Sequence, residues 1–175
     1  ELDLSEQDNI KEAIVKILGK GSNKFYLDQY SINDLQNQDK PTKIRYNFRV
    51  SDYFQRAGDE LYINLNLSKD YYNDFINTAT RKFAKEAKFK YIAYDIIELN
   101  VPEGYTIEYI PENTKYSGEQ IGFEFNYSVK PGSILLHRKL YSNYLLLEPS
   151  QFESWNQSVK KLSEAYKESI ILKTK

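Results

Sequence analysis

The sequence predicts a mainly β fold of the α+β kind: an antiparallel, sandwich-like core flanked by an N-terminal helix and a C-terminal helix. Three observations carry this. Period-2 alternation recurs at 43–50, 61–67, 105–109 and 121–129. Turn signals stand between these runs, at Gly58-Asp59, Pro102-Glu103-Gly104 and Pro131-Gly132. The connections between residues 91 and 141 are too short for the crossovers that a parallel sheet needs.

The N-terminal helix is predicted from one stripe. Ile10, Ala13, Ile14, Ile17 and Leu18 recur at helical spacing, and Ser5 three residues before Asp8 offers a cap. Gly19 and Gly21 stand where a helix would end. Residues 22–42 read as polar and irregular, with Asn33-Asp34 and Lys40-Pro41 as turn material. The cleanest strand follows. Ile44, Tyr46, Phe48 and Val50 take one face, and Lys43, Arg45, Asn47 and Arg49 take the other. Leu61, Ile63, Leu65 and Leu67 repeat the pattern after Gly58-Asp59, so 43–50 and 61–67 are expected to pair as a hairpin with one wet face.

Tyr72, Phe75, Ile76, Ala79 and Phe83 fit helical spacing, so the 70–90 stretch reads as a helix, although Thr78 and Thr80 also suit a strand. From Tyr91 the chain is β-rich again. Pro102-Glu103-Gly104 then turns it into Tyr105–Tyr109, and Val101–Pro111 reads as a hairpin edge. Pro131-Gly132 joins Ile121–Val129 to Ser133–Tyr141, and Tyr144–Leu147 makes one more short strand. The last helix is the best signed. Ser150-Gln151-Phe152-Glu153 spells a capping box, and Phe152, Trp155, Val159, Leu162 and Tyr166 form one core-facing stripe. Ser169–Leu172 finishes as a strand.

Composition bounds the function. The 175 residues carry a net charge of −1, which is not the footprint of a nucleic-acid binder. No apolar run reaches the length of a membrane span. The chain opens Glu1-Leu2-Asp3-Leu4 without Met and reads as a piece of a longer protein. On that reading residues 1–27 are the tail of a preceding region and 28–175 are a β-rich domain. With no cysteine and a single histidine, neither a Cys–His pair nor a thiolate or His-rich zinc site can be assembled within the chain.

The remaining candidates each favour a bland role. His137 shares a strand face with Leu135, Lys139 and Tyr141, opposite Ile134, Leu136 and Leu140, and is expected to be partly exposed and idle. Asp34, Asn37 and Asp39 lack the Gly and closing Glu of a calcium loop. Gly19-Lys20-Gly21-Ser22 follows a helix, the wrong end for a phosphate. Lys43, Arg45 and Arg49 face away from Tyr46 and Phe48 and cannot share a stacking surface with them. Asn66, Asn126 and Asn156 match the glycosylation pattern only as an Asn-rich chain would. Tyrosine is abundant, 16 residues, and Tyr62, Tyr71, Tyr72, Tyr91 and Tyr116 would make a sugar- or peptide-gripping face only if they clustered. Scattered rim tyrosines are the favoured reading. No catalytic, cofactor-binding or metal-ligating residue is assigned, and no cofactor is expected.

Several short motifs appear in a set order: Ser31–Leu35, Lys40-Pro41, Ile44-Arg45-Tyr46, Ala57–Ile63, Val101–Tyr105, Tyr109-Ile110-Pro111, Phe152–Trp155 and Lys167–Leu172. Over residues 28–175 this order resembles the C-terminal β-rich domain of unknown function found in bacterial transglutaminase-like multidomain proteins. The resemblance implies a papain-like core upstream in the same polypeptide, with the Cys-His-Asp machinery there and none here. Where that family often has Arg-x-x-Pro, this chain has Arg81-Lys82-Phe83-Ala84, which favours helix locally. The implied function is a non-catalytic accessory domain, not itself an enzyme, that positions the core or its substrate. The implied location is extracytoplasmic, either periplasmic or at the cell surface. The alternative is a carbohydrate- or peptide-binding module acting on envelope glycan or peptide through a Tyr-lined sheet face.

Overall fold

The computed structural model describes residues 9–12, 15–16, 24–34, 39–40 and 43–175. It is built mostly from antiparallel strands with a C-terminal helix, as the sequence predicts. The chain divides into two compact units, Glu1–Tyr53 and Phe54–Lys175.

In the first unit residues 9–12 and 15–16 are helical. The predicted cap Ser5, the stripe residues Ala13, Ile14, Ile17 and Leu18, and Gly19–Ser22 lie outside the described residues. Strand β1 (Phe25–Asn33) pairs antiparallel with β2 (Lys43–Val50). This corrects two expectations: part of the 22–42 stretch is a strand, and the partner of 43–50 is that strand rather than 61–67. The reason is a bulge between Leu27 and Gln29. The extra residue shifts the phase between Phe25/Leu27 and Tyr30/Ile32, so no continuous period-2 pattern survives. Residues 27 and 28 both lie within β1.

The second unit holds two four-stranded sheets around one core. Strands β3 (Gln55–Ala57), β4 (Glu60–Ile63), β12 (Ile170–Thr174) and β7 (Tyr105–Tyr109) form one sheet, in the order β3-β4-β12-β7. Strands β6 (Tyr91–Asn100), β10 (Ser133–Ser142), β9 (Ile121–Lys130) and β8 (Thr114–Ser117) form the other, in the order β6-β10-β9-β8. A short pair, β5 (Lys85–Glu86) with β11 (Leu146–Leu147), stands apart. The β9–β10 hairpin and the β12 strand are as predicted. Val101–Pro111 is not a hairpin edge: Pro102–Gly104 makes the turn, but β6 pairs with β10 and β7 with β12. The turn therefore hands the chain from one sheet to the other. Gly104 sits at φ 85, a conformation that residues with a Cβ rarely adopt.

The C-terminal helix (Phe152–Ala165) closes the core. Phe152, Trp155, Val159, Leu162 and Tyr166 are all at most 1% exposed, beside Phe123 and Phe125 of β9 and Leu136 and Leu140 of β10. The stripe is as predicted, but the cap is not. A 3₁₀ turn (Pro149–Gln151) precedes the helix, and the Glu148 amide donates to Gln151 Oε1 at 3.0 Å. Pro149 has no N–H to be capped, so the reciprocal bond moves to the residue before it.

The 70–90 stretch is not helical, and neither is Arg81–Ala84; only β5 within it is regular. Tyr71 and Asn73 sit at φ 60 and 55, where a right-handed helix cannot continue. The segment instead leans on the C-terminal helix. Asn156 accepts from the Ile76 amide and donates to its carbonyl, both at 2.8 Å. Trp155 Nε1 donates to the Asp74 carbonyl at 2.7 Å, and the Asn73 amide donates to Ser163 Oγ at 3.1 Å. Trp155 also meets Tyr71 and Tyr144 edge-on at 5.7 and 5.1 Å.

One charge lies inside. Arg138 is 4% exposed on the apolar face of β10, between Leu136 and Leu140. Its guanidinium donates twice to Asp95 Oδ2, at 2.9 and 2.6 Å, and to the carbonyl and hydroxyl oxygens of Ser68 at 2.5 and 3.0 Å. It also lies 5.8 Å from the Tyr166 ring centroid.

Two predictions follow from this packing. Trp155→Ala removes the most buried indole and the bond to Asp74, and should cost about 3–5 kcal/mol in denaturant unfolding. Burial favours the neutral phenol, which pushes Tyr91, Tyr127 and Tyr144 up to about 12. A raised pKa means stability that is complete below the ordinary value of 10.0 and drains away as pH rises toward 12. Alkaline unfolding followed by circular dichroism should coincide with the appearance of phenolate absorbance in that window.

Candidate functional site

A cleft lies where the chain passes from β7 to β8, and so from one sheet to the other. It has a volume of about 440 Å³. Tyr109 and Glu112 contribute from the β7 side, Thr114–Tyr116 from β8, and Lys161, Glu164 and Glu168 from the end of the C-terminal helix and just beyond. β7 and β8 are each the last strand of their sheet, so the cleft opens beside two strand edges without a described partner.

Local bonds hold its walls. Asn113 Oδ1 accepts from the Tyr127 amide at 2.6 Å, pinning the β7–β8 connector to β9. The Tyr116 hydroxyl is 3.0 Å from Ser158 Oγ, and Ser158 donates to the Ser154 carbonyl at 2.8 Å. The Tyr116 ring packs on Phe123 at 5.8 Å, with the Lys161 ammonium 4.5 Å from its centroid. The Tyr109 hydroxyl donates to Glu168 at 3.4 Å. Partial desolvation, with the Glu168 and Glu112 carboxylates nearby, raises the Tyr109 phenol above its ordinary range. Lys115 leans away to Glu124, at 3.5 Å. The cleft thus presents two tyrosines, three carboxylates and two ammonium groups, Lys115 paired with Glu124 and Lys161 seated on the Tyr116 ring. Such walls suit an extended ligand with a cationic group, through charge and cation–π attraction.

The tyrosines singled out from sequence do not make one face. Tyr71 and Tyr91 meet at 6.4 Å, Tyr72 packs on Tyr166, and Tyr62 donates to Glu60 at 2.6 Å on β4. Only Tyr116 enters the cleft, and its partner there, Tyr109, was not among them. By alternation Tyr109 shares a face with Tyr105 and Ile107, yet the β7–β12 register shifts between Ile171 and Leu172 and Tyr109 is exposed; nothing local announces this, or that β7 and β8 end on different sheets.

His137 lies on the outer face of the β6-β10-β9-β8 sheet, exposed, in a shallow hollow of about 290 Å³ with Tyr94, Glu124, Asn126 and Lys139. Its strand neighbours Ile134, Leu136 and Leu140 are buried, as the alternation predicts, but Leu135, on the His137 face by the same alternation, is buried as well. Asp34 sits in a bend at φ 60, and Asn37 lies outside the described residues. Arg49 is engaged with Asp28 through three contacts of 2.8–3.1 Å, which holds the Asp28 carboxyl below its ordinary range. Of the glycosylation-pattern residues, Asn66 is 1% exposed and Asn156 is committed to Ile76. Among the described residues, no group of three or more His, Cys, Asp or Glu side chains could hold a metal ion, and no helix is long and apolar enough to cross a membrane.

Comparison with known proteins places this geometry in a family. Residues 59–172 match the model of DUF3858, a domain of unknown function with a solved structure, and the chain belongs to that family. The match covers the C-terminal helix, the cleft and both four-stranded sheets apart from β3 and the end of β12. No curated protein and no solved structure matches the chain.

His137 is exposed and makes no side-chain bond that the packing depends on. His137→Ala should therefore shift thermal unfolding by less than about 0.5 kcal/mol.

Proposed function

We propose that this chain is a non-catalytic accessory module of a larger extracytoplasmic bacterial polypeptide, and that it works by holding an extended peptide in the cleft between β7, β8 and the C-terminal helix. The observation that carries the reading is the cleft itself: aromatic walls, converging charges and an open strand edge, on a domain whose interior is otherwise packed. Extended peptides gain affinity from a sheet edge and specificity from side-chain subsites beside it. Here β8 offers the edge. Tyr109, Tyr116, Glu112 and Glu168 offer a subsite for a basic side chain. The motif order along residues 28–175 supports a transglutaminase-like core as the upstream neighbour, with the peptide belonging to that core or to its substrate.

A screen of the chain against extended peptides, with cell-wall glycans and the upstream core as parallel arms, tests this. Saturable binding of peptides bearing Lys or Arg is expected, weakened about tenfold or more by Tyr116→Ala and by Glu168→Lys, and unchanged by His137→Ala. Glycan binding with no peptide binding, or peptide binding indifferent to Tyr116 and Glu168, would reject it.

A further inference from the structure

We infer that the β6 edge is a self-complementary interface on which a second copy of this chain adds its own β6, making one continuous antiparallel sheet. Strand β6 runs ten residues at the edge of its sheet and has no described strand on its outer side. The backbone phase of that edge can be read from the turn beside it. The Val101 amide donates to the Gly132 carbonyl at 2.9 Å, and the β6–β10 register is unbroken from there. Odd-numbered residues therefore bond to β10. Even-numbered residues, Ile92 to Asn100, direct their N–H and C=O groups to the open side.

The same even-numbered residues carry the outer-face side chains. In order they are Ile92, Tyr94, Ile96, Glu98 and Asn100; Lys90 immediately precedes the strand, and Lys88 lies in the bend before it. Ile92, Tyr94 and Ile96 are 55%, 68% and 70% exposed, an apolar row where a soluble edge usually carries charge. The row is symmetric about Tyr94 in chemistry. Apolar residues lie two positions either side, then Lys90 on one flank and Glu98 on the other.

An antiparallel two-fold pairing centred on Tyr94 uses all of it. Tyr94 faces its own copy, Ile92 faces Ile96, and Lys90 faces Glu98, each twice. The centre is also correct for the backbone, because an even-numbered pair exchanges both hydrogen bonds across the axis. Neighbouring registers are worse. Centring on Asp95 sets two carboxylates opposite each other, and centring on Ile96 sets Tyr94 against Glu98 and Ile92 against Asn100. Charge and apolar complementarity agree on one register, and the occupant that matches it is a second copy. This surface is separate from the cleft of the proposed function, so either reading can fail without the other.

Sedimentation and light scattering on the full chain test this across a concentration series. A dimer is expected. Tyr94→Lys places like charges on the two-fold axis and should abolish it. Glu98→Lys opposes Lys90 twice and should weaken it roughly tenfold or more. Adding Lys90→Glu to Glu98→Lys restores opposite charges and should restore the dimer. All three positions are exposed, but Glu98 also accepts from Ser133 Oγ at 2.8 Å, so Tyr94→Lys, whose circular dichroism melt should match the parent's, is the variant that separates loss of the dimer from loss of the fold. A monomer at every concentration would overturn the inference and leave the edge to a strand of another protein. A dimer indifferent to Tyr94→Lys and to the charge swap would overturn it too.

Discussion

The bonds between the C-terminal helix and the irregular 64–77 segment are the constraint on which the second unit depends. That segment leaves β4 without entering another sheet, so its backbone polar groups need other partners. The helix supplies them with side chains: Trp155 to Asp74, Asn156 to both groups of Ile76, and Ser163 to Asn73. Asn64 returns the favour by donating to the Tyr166 carbonyl at 2.7 Å, which satisfies one of the open carbonyls at the helix end. The helix thus buries an apolar stripe on the sheets while its flank acts as a substitute strand edge. Its Asn and Ser residues, weak helix formers, are explained by this second duty.

Arg138 shows a different balance. A guanidinium on the apolar face of a central strand is costly to desolvate, and its attraction to Asp95 repays this only because four hydrogen bonds fix the geometry. Those bonds join three pieces: β10, β6 and the chain just after Leu67. An apolar side chain would fill the space but could not fix which loop lies across it. Arg138 contributes register and loop placement as much as net stability.

Legibility followed the range of the interactions. The β9–β10 hairpin, the helix stripe and the His137 face depend on neighbours a few residues away, and period and turn chemistry disclose them. What failed depended on long-range choices. Tyr72, Phe75 and Ile76 have helical spacing, yet their conformation is set by Asn156, 80 residues from Ile76. Pro102–Gly104 announces a reversal but cannot say that the next strand joins another sheet. β1 hid behind a bulge. The cleft was half legible: Tyr116 was visible as a candidate, but its meeting with Tyr109 and the helix end is a product of that unseen change of sheet.

The position of β12 has a consequence for how the molecule comes into being. β12 is made after the helix, yet it lies in the middle of its sheet, between β4 and β7. Until residues 170–174 have left the ribosome, β4 has only the three-residue β3 beside it and β7 has no strand partner in its sheet. The β3-β4-β12-β7 sheet cannot assemble piecemeal behind the growing chain; its distant pairings must close together, a slow and aggregation-exposed route. During translation the two ends of this sheet are made long before the strand that joins them, and its closure waits on that strand.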